Sequence, residues 1–90
     1  MEVDLHIEEL VENVSGLSNF EMLNIQLEKF DKTLDKAFEG SIKKIVFIHG
    51  VGNGRLKQEL INRLKHIKGI TYHDASHKEY GFGATQINIL

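Results

Sequence analysis

The sequence predicts an α/β fold, a two-layer sandwich in which a four-stranded mixed sheet carries two long helices on one face. Two observations indicate this class. Short segments with strand periodicity alternate with longer segments whose apolar residues recur every three or four positions, in the order β-α-β-α-β-β. Right-handed strand-helix-strand connections then place both helices on the same side of the sheet. We therefore expect a single domain over residues 1–90.

The first strand is expected at residues 2–7, where apolar and polar residues alternate with the period of a half-buried strand. Residues 8–17 contain apolar residues at helical spacing, but Ser15-Gly16 interrupts them before a full helix can form. We interpret this segment as a structured connector that leads into the first long helix.

The first long helix is the most strongly indicated element. It begins at Ser18, whose hydroxyl and the carboxylate of Glu21 have the spacing of a capping box. An apolar stripe follows, and Gly40 is placed to end the helix in a left-handed cap. The stripe consists of Phe20, Leu23, Leu27, Phe30, Leu34, Ala37 and Phe38.

The second half of the chain is expected to contain three strands and one helix. The strands are predicted at residues 43–49, 70–75 and 84–90, and a basic helix that Gly69 ends separates the first two. The continuous apolar centre of residues 43–49 indicates a central strand that is covered on both faces. Because a two-layer sandwich leaves one sheet face open, we expect the connector of residues 8–17 or a second subunit to cover that face.

Composition restricts the classes of protein to which the chain can belong. It has 90 residues, of which 41% are hydrophobic and 27% charged, values typical of one soluble globular domain. The absence of cysteine excludes disulfides, thiolate metal sites and a cysteine nucleophile. The longest apolar run, residues 45–48, is too short to cross a membrane. We therefore expect a cytoplasmic protein with no membrane partner.

The formal net charge of −2 is distributed unevenly along the chain. Residues 1–40 carry ten acids and three lysines, whereas residues 41–68 carry seven bases and one acid. A basic block within an acidic chain indicates a localised surface that faces an anion. The alternative is a solvated helix face whose lysines bind nothing, and composition alone leaves both interpretations open.

A glycine-rich loop, His49-Gly50-Val51-Gly52-Asn53-Gly54, joins a predicted buried strand to the basic helix. Its alternate glycines allow the backbone to approach a ligand closely, and the free N–H groups at the start of the helix favour an anion such as a phosphate. The glycine spacing matches neither the Walker motif nor the dinucleotide fingerprint, which argues against a nucleotide cofactor.

Asp4 and His6 are predicted to project from the same face of the first strand. If the second strand lies parallel to the first, the carboxyl ends of both meet at one rim of the sheet, which brings His6 near His49. A carboxylate that orients a histidine suits general acid or base chemistry on a phosphodiester. The alternative is that Asp4 and His6 form only the polar face of an edge strand.

A second polar cluster, His73, Asp74 and His77, lies near the end of the third strand. Its spacing matches no strong metal-binding pattern, so we assign no metal ligands. Phe82 follows in a glycine-flanked turn, where an exposed ring could stack on an unpaired base or could equally anchor the turn to the core.

Three motifs together resemble the Smr (small MutS-related) domain family. They are V-D-L-H at residues 3–6, H-G-V-G-N-G at residues 49–54 and G-A-T-Q-I at residues 83–87, and the resemblance spans nearly the whole chain. It implies a sheet with two helices on one face, similar to the C-terminal domain of a bacterial translation initiation factor, and a role in binding or nicking nucleic acid. Family members usually form the C-terminal module of a larger protein, so other domains of a parent protein are expected partners.

The resemblance also implies roles for individual residues. Asp4 and His6 match the cleavage residues of the first motif, and the glycine loop matches the phosphate-contacting element. His49 is expected to stabilise charge on the phosphate or to act as the acid. The residues expected to bind nucleic acid are Gly50, Gly52, Asn53, Gly54, Arg55 and Lys57. Ile7 stands where the family motif has a glycine, and the connector is longer than the usual turn, which indicates a divergent branch.

The sequence therefore predicts a domain that binds DNA or RNA, with possible endonuclease activity. Whether a divalent metal such as Mg or Mn takes part stays open. The alternative is a catalytically silent module that docks a parent protein onto a protein partner, through the open sheet face or the acidic first helix. A homodimer through the open sheet face is compatible with either function.

Overall fold

The computed structural model describes residues 1–90, which form one mixed sheet and four helices. In chain order the elements are β1 (Glu2–Asp4), α1 (Ile7–Leu10), α2 (Asn19–Glu39), β2 (Lys44–Ile48), α3 (Arg55–Leu64), β3 (Ile70–Asp74), α4 (His77–Tyr80) and β4 (Ala84–Ile89). The strands lie in the order β1-β2-β4-β3; β1 and β2 are parallel, and the other two pairs are antiparallel. The predicted mixed sheet is confirmed. None of the four helices has the length and apolar character needed to cross a bilayer.

One face of the sheet carries the main hydrophobic core. The long helices α2 and α3 pack on this face, where the rings of Phe30 in α2 and Phe47 in β2 lie 4.8 Å apart between centroids. The core residues are Val3, Leu5, Leu27, Phe30, Leu34, Ala37, Ile45, Phe47, Leu60, Leu64 and Ile87. Because both helices contribute to a single core, the predicted two-layer sandwich is confirmed.

The opposite face of the sheet is covered only around Val46, in a way that the sequence did not predict. Val46 of β2 is buried in a small cluster with Ala75, Ala84 and the side chain of Tyr80 from α4. The Tyr80 hydroxyl donates a hydrogen bond to the Glu2 carboxylate, which raises the pKa of Tyr80 to about 12. The expectation that the connector covers this face is wrong, since its short helix α1 packs against α2 instead. Val46 is buried without a second subunit.

The capping box at the start of α2 is confirmed. The Ser18 hydroxyl accepts the Glu21 N–H at 3.0 Å, and the Glu21 carboxylate accepts the Ser18 N–H at 3.0 Å. These hydrogen bonds lower the pKa of the Glu21 carboxyl. The left-handed cap expected at Gly40 is wrong, because its φ of −100° and ψ of −158° are extended backbone that leads the chain directly toward β2.

The first strand is shorter than predicted, ending at Asp4 and not at residue 7. The Asp4 carboxylate accepts the backbone N–H of His6 at 2.9 Å, and this local bond turns the chain into α1 at Ile7. His6 therefore precedes a helix and does not share a strand face with Asp4. The ladder continues for one more bond, from the Leu5 N–H to the Ile48 carbonyl at 2.8 Å.

Candidate functional site

The site lies at the rim where β1 and β2 end and β4 begins. Parallel pairing places Asp4 opposite Ile48, so the carboxyl ends of both strands meet there. In the antiparallel pair Ile48 also lies opposite Ala84, the first residue of β4. Three chain segments therefore converge on the glycine loop of residues 49–54. Ligands of open α/β sheets commonly bind at such a rim.

Asp4 and His6 form a hydrogen-bonded dyad at this rim. The Asp4 Oδ1 atom lies 2.7 Å from His6 Nδ1 while it also accepts the His6 backbone N–H. Since a carboxylate accepts hydrogen bonds, this geometry favours the ring tautomer with its proton on Nδ1, which leaves Nε2 as the acceptor. The side chains remain 42% exposed for Asp4 and 48% for His6, so a ligand can reach the dyad.

The base nitrogen of the dyad lies against the glycine loop. A Cβ atom placed on Gly50 would be 2.7 Å from His6 Nε2, so only glycine leaves room for the ring. Gly50 also contacts Gly83, because a Cβ atom placed on Gly83 would lie 2.9 Å from the Gly50 Cα. The Gly83 carbonyl accepts the N–H groups of His49 at 2.9 Å and Gly50 at 3.0 Å. The start of the loop is thus fixed between His6 and β4.

His49 is a buried part of this support. Its side chain is only 6% exposed, with Nδ1 donating to the Gly50 carbonyl at 2.8 Å and Nε2 accepting from the Thr85 hydroxyl at 2.9 Å. Burial is the largest cause that lowers the pKa of His49, so the ring is neutral near pH 7. The structure brings the start of the loop at His49 and Gly50 next to His6, as expected, but both ring nitrogens of His49 are engaged within the fold.

The rest of the loop presents backbone to open space. Gly52 and Gly54 have φ values of +40° and +81°, and a Cβ on either would meet nothing within 4 Å. Gly54 is the N-cap of α3, and the Asn53 side-chain oxygen accepts the Arg55 N–H at 2.9 Å. The Arg55 side chain is exposed and lies 3.6 Å from Glu59. The Gly54 N–H donates to the Val51 carbonyl at 3.1 Å, so the backbone N–H groups of Gly52 and Asn53 and the Arg55 side chain are left for an anion.

Lys57 is paired with an acid at the end of β3. Its Nζ atom lies 3.0 Å from the Asp74 carboxylate, and this hydrogen bond is the main cause that lowers the pKa of Asp74. The ammonium group predicted to hold a phosphate is therefore shared with a carboxylate. His73 lies beside this pair and bonds the Asp74 carbonyl at 2.8 Å through Nδ1. No three His, Asp or Glu side chains are grouped closely enough to hold a metal.

A groove of about 490 Å³ runs between the glycine loop and the first turns of α2. Phe20 on the α2 side is 71% exposed, and Val51 on the loop side is 66% exposed. Phe20 begins the predicted apolar stripe of α2, but it does not join the buried core to which Leu27, Phe30 and Leu34 of that stripe belong. A helix of 21 residues is about 31 Å long, which exceeds the length of any strand beneath it, so the strands cannot cover the whole length of the helix.

The loop and its surroundings decide the family. The model of the Smr domain family matches residues 23–89, which contain the glycine loop, α3 and the start of β4. The chain belongs to the Smr domain family. The solved Smr domain of Thermus thermophilus MutS2 aligns with a TM-score of 0.75 and 27% sequence identity, over 99% of this chain and 96% of that one.

Curated relatives of this Smr domain are much longer proteins. The endonuclease MutS2 of Clostridium kluyveri is 36% identical over 63 residues, and that of Clostridium botulinum is 32% identical over 60. Each alignment spans 67% of this chain but only 7% of the relative. The Asp4 and His6 dyad lies outside residues 23–89, so the structure, and not the family model, connects it to the loop.

Four residues of the Smr domain site were not singled out by sequence reasoning for the parts they play. Gly83 and Thr85 hold the loop through His49 and Gly50, Asp74 pairs with Lys57, and Phe20 lines the groove. The G-A-T-Q-I segment contained a usable signal for the first two, because it places a glycine and a hydroxyl at alternate positions where β4 begins. No local sequence pattern identifies Asp74 or Phe20 as part of the site.

Proposed function

We propose that this Smr domain binds nucleic acid at the rim formed by the glycine loop and cleaves a phosphodiester bond with Asp4 and His6. The observation that carries the proposal is the dyad itself, a half-exposed carboxylate and imidazole whose free nitrogen lies against the loop backbone. The MutS2 relatives, which are described as endonucleases, support the same function.

Binding is assigned to the loop and to the start of α3. The backbone N–H groups of residues 51–53, which make no hydrogen bond within the fold, and the positive end of the helix dipole favour a phosphate, and Arg55 adds a full charge. Lys57 contributes a second cation when a phosphate replaces Asp74 as its partner. Because counterions are released from the nucleic acid, affinity is expected to fall steeply as salt rises.

Cleavage is assigned to proton transfer at His6. Nε2 removes the proton from the attacking hydroxyl, of water or of an RNA 2′-OH group, as the hydroxyl oxygen bonds to phosphorus. The bond from phosphorus to the leaving oxygen then breaks, and that oxygen takes a proton from water. Asp4 holds the ring and stabilises its charged form, while the loop N–H groups and Arg55 stabilise the charge on the phosphate.

His49 receives a positioning role in this proposal, and a metal receives none. Both ring nitrogens of His49 are hydrogen-bonded within the fold. The ring therefore holds the Gly50 carbonyl in place and has no nitrogen left to contact the substrate. Asp4 is the carboxylate of the dyad, and no group of three metal-binding side chains surrounds it. Because Mg²⁺ can bind through a single carboxylate and the phosphates of a substrate, the cleavage assay is run with and without Mg²⁺ and Mn²⁺.

The test is a cleavage assay on labelled branched DNA and structured RNA. Wild-type domain is compared with an Asp4→Ala, His6→Ala double variant and with His66→Ala, which removes an exposed histidine far along the chain from the rim. We expect the wild type and His66→Ala to nick a probe and the double variant only to retard it. Equal cleavage by the double variant would refute the assignment of the dyad.

A protein-interaction module is the second candidate, and the charge of α2 favours it. Exposed acids along the helix would repel a nucleic acid that approached from that side. They are Glu21, Glu28, Asp35 and Glu39. Charge reversal separates the two functions, because Lys57→Glu should abolish nucleic-acid binding and leave a protein interaction through α2 intact.

A further inference from the structure

Phe20 presents an aromatic ring beside the proposed cleavage site. It is the second residue of α2 and is 71% exposed, although the helix around it is held firmly by the Ser18 and Glu21 capping box. An aromatic side chain gains little by facing water, since its apolar area contributes to stability only when buried. The ring is thus available to a ligand from a rigid position.

The groove that Phe20 lines extends to residues that contact or adjoin the dyad. Gly50 forms part of the groove wall, and the same residue lies against His6 Nε2. Ile7, the neighbour of His6 in the chain, also lines the groove. A group bound at the Gly50 end of the groove therefore lies beside the dyad and the phosphodiester on which it is proposed to act.

The walls of the groove combine the surfaces that a nucleotide needs. Phe20 supplies a π face, Val51 an apolar contact, and Asn19 and Asn53 supply amide groups for a base edge. Arg55 at the same wall can pair with a phosphate. The volume of about 490 Å³ falls within the range of roughly 300–1,000 Å³ for small-molecule sites. An apolar peptide would leave this polar half of the wall without partners.

We infer that the groove binds one unpaired base of the substrate, stacked on Phe20, so that the substrate class is single-stranded or locally unpaired DNA or RNA. A base within a duplex has both faces covered by its neighbours, and only an unstacked base offers a face to Phe20. Phe20 then determines specificity for unpaired strand beside the cleavage site. This inference rests on the proposed nucleic-acid function and names its substrate.

Fluorescence anisotropy with two kinds of labelled probe tests the inference. The probes are single-stranded oligothymidylate and oligouridylate of about 12 nucleotides and duplexes of equal length. The variants are Phe20→Leu, which keeps an apolar side chain, and Phe20→Tyr, which keeps the ring. Phe38→Leu is the matched control, because Phe38 is an exposed phenylalanine at the other end of the same helix.

We expect Phe20→Leu to weaken single-strand binding by roughly 5- to 100-fold and duplex binding by less than about twofold. Phe20→Tyr should bind single strands like the wild type, and Phe38→Leu should change neither probe. The DNA and RNA arms identify which strand is preferred. Since Phe20 is exposed, loss of folding does not explain a selective loss, and matched melting curves verify this.

Two results would overturn the inference. If Phe20→Leu binds single strands as tightly as the wild type, or if it loses single-strand and duplex affinity equally, Phe20 does not read an unpaired base. Salt-dependent duplex binding by the wild type would in either case leave the proposed function standing. If the wild type binds no probe at low salt, the proposed function itself fails, and the inference fails with it.

Discussion

His6 and Gly50 are in direct contact, with the ring nitrogen Nε2 only 2.7 Å from the position that a Cβ on Gly50 would occupy. Gly50 also has a φ of +77°, a conformation that residues with a Cβ rarely adopt. The first motif and the glycine loop are therefore interdependent, and a side chain at residue 50 would have to displace the His6 ring.

Gly50→Ala should both destabilise the fold and move His6. The positive φ alone should lower the free energy of unfolding by about 1 kcal/mol, and the collision with His6 should add roughly 1–2 kcal/mol. Gly16→Ala is the matched control, since Gly16 has a φ of +82° with nothing within 4 Å of its Cβ position. Urea unfolding measures both variants, and an equal loss of stability in the two would show that the contact with His6 has no cost.

His49 should make the stability of the domain dependent on pH. Burial lowers the pKa of His49 in the folded state below its usual value of 6.5, so the unfolded chain binds a proton more readily. The contribution of the neutral His49 ring to the free energy of unfolding is therefore complete above pH 6.5. It decreases as the pH falls from 6.5 toward the lowered pKa of the folded state. Urea unfolding between about pH 5 and 7.5 measures this slope.

The control for the pH experiment is His66, an exposed histidine beyond the end of α3. His49→Gln should flatten the dependence of unfolding free energy on pH below 6.5, whereas His66→Gln should leave it as in the wild type. An unchanged slope in His49→Gln would mean that another group causes the acid sensitivity.

The features predicted correctly are those that neighbouring residues encode. The capping box at Ser18 is encoded by four consecutive residues, and the helical stripe and strand periodicities predicted the order of the strands and long helices along the chain. The glycine loop could be recognised in the sequence because positive φ values favour glycine, and Gly50, Gly52 and Gly54 all have positive φ. The four-residue helix α4 was missed because one turn is too short to produce a periodic pattern.

The features missed at the site depend on contacts between distant parts of the chain. Thr85 bonds His49 across 36 positions, and Asp74 bonds Lys57 across 17. Neither bond has a local signal, because each depends on how β4 and β3 close the sheet. The exposure of Phe20 likewise follows from the mismatch in length between α2 and the strands, and residue spacing along one helix does not show what lies beneath it.

Asp74→Asn should strengthen binding of nucleic acid. The substitution removes a negative charge beside the rim and releases Lys57 to contact a phosphate. Exposed ion pairs contribute about 0–1 kcal/mol, so affinity should rise by up to about fivefold at low salt. If Lys57 gains one phosphate contact, the slope of log affinity against log salt should become more negative by about 0.7 to 0.9.

Asp31→Asn is the matched control for this measurement. Its carboxylate also lies 3.0 Å from a cation, Arg63, but that pair joins α2 to α3 away from the glycine loop. Anisotropy titrations at several salt concentrations should separate the two variants. Equal gains in affinity would indicate a general effect of net charge, and no gain in Asp74→Asn would show that Lys57 does not contact phosphate.

Asp4→Asn should abolish most cleavage while leaving binding nearly intact. The carboxylate fixes the proton on His6 Nδ1, whereas an amide can present its N–H to that nitrogen and leave the ring in the wrong tautomer for base chemistry at Nε2. Loss of general base catalysis should slow cleavage by about 10²- to 10⁴-fold. Asp35→Asn, an exposed acid on α2, serves as the control for charge. Single-turnover cleavage and anisotropy on one probe measure rate and affinity separately, and a parallel loss of both would assign Asp4 to binding and not to proton transfer.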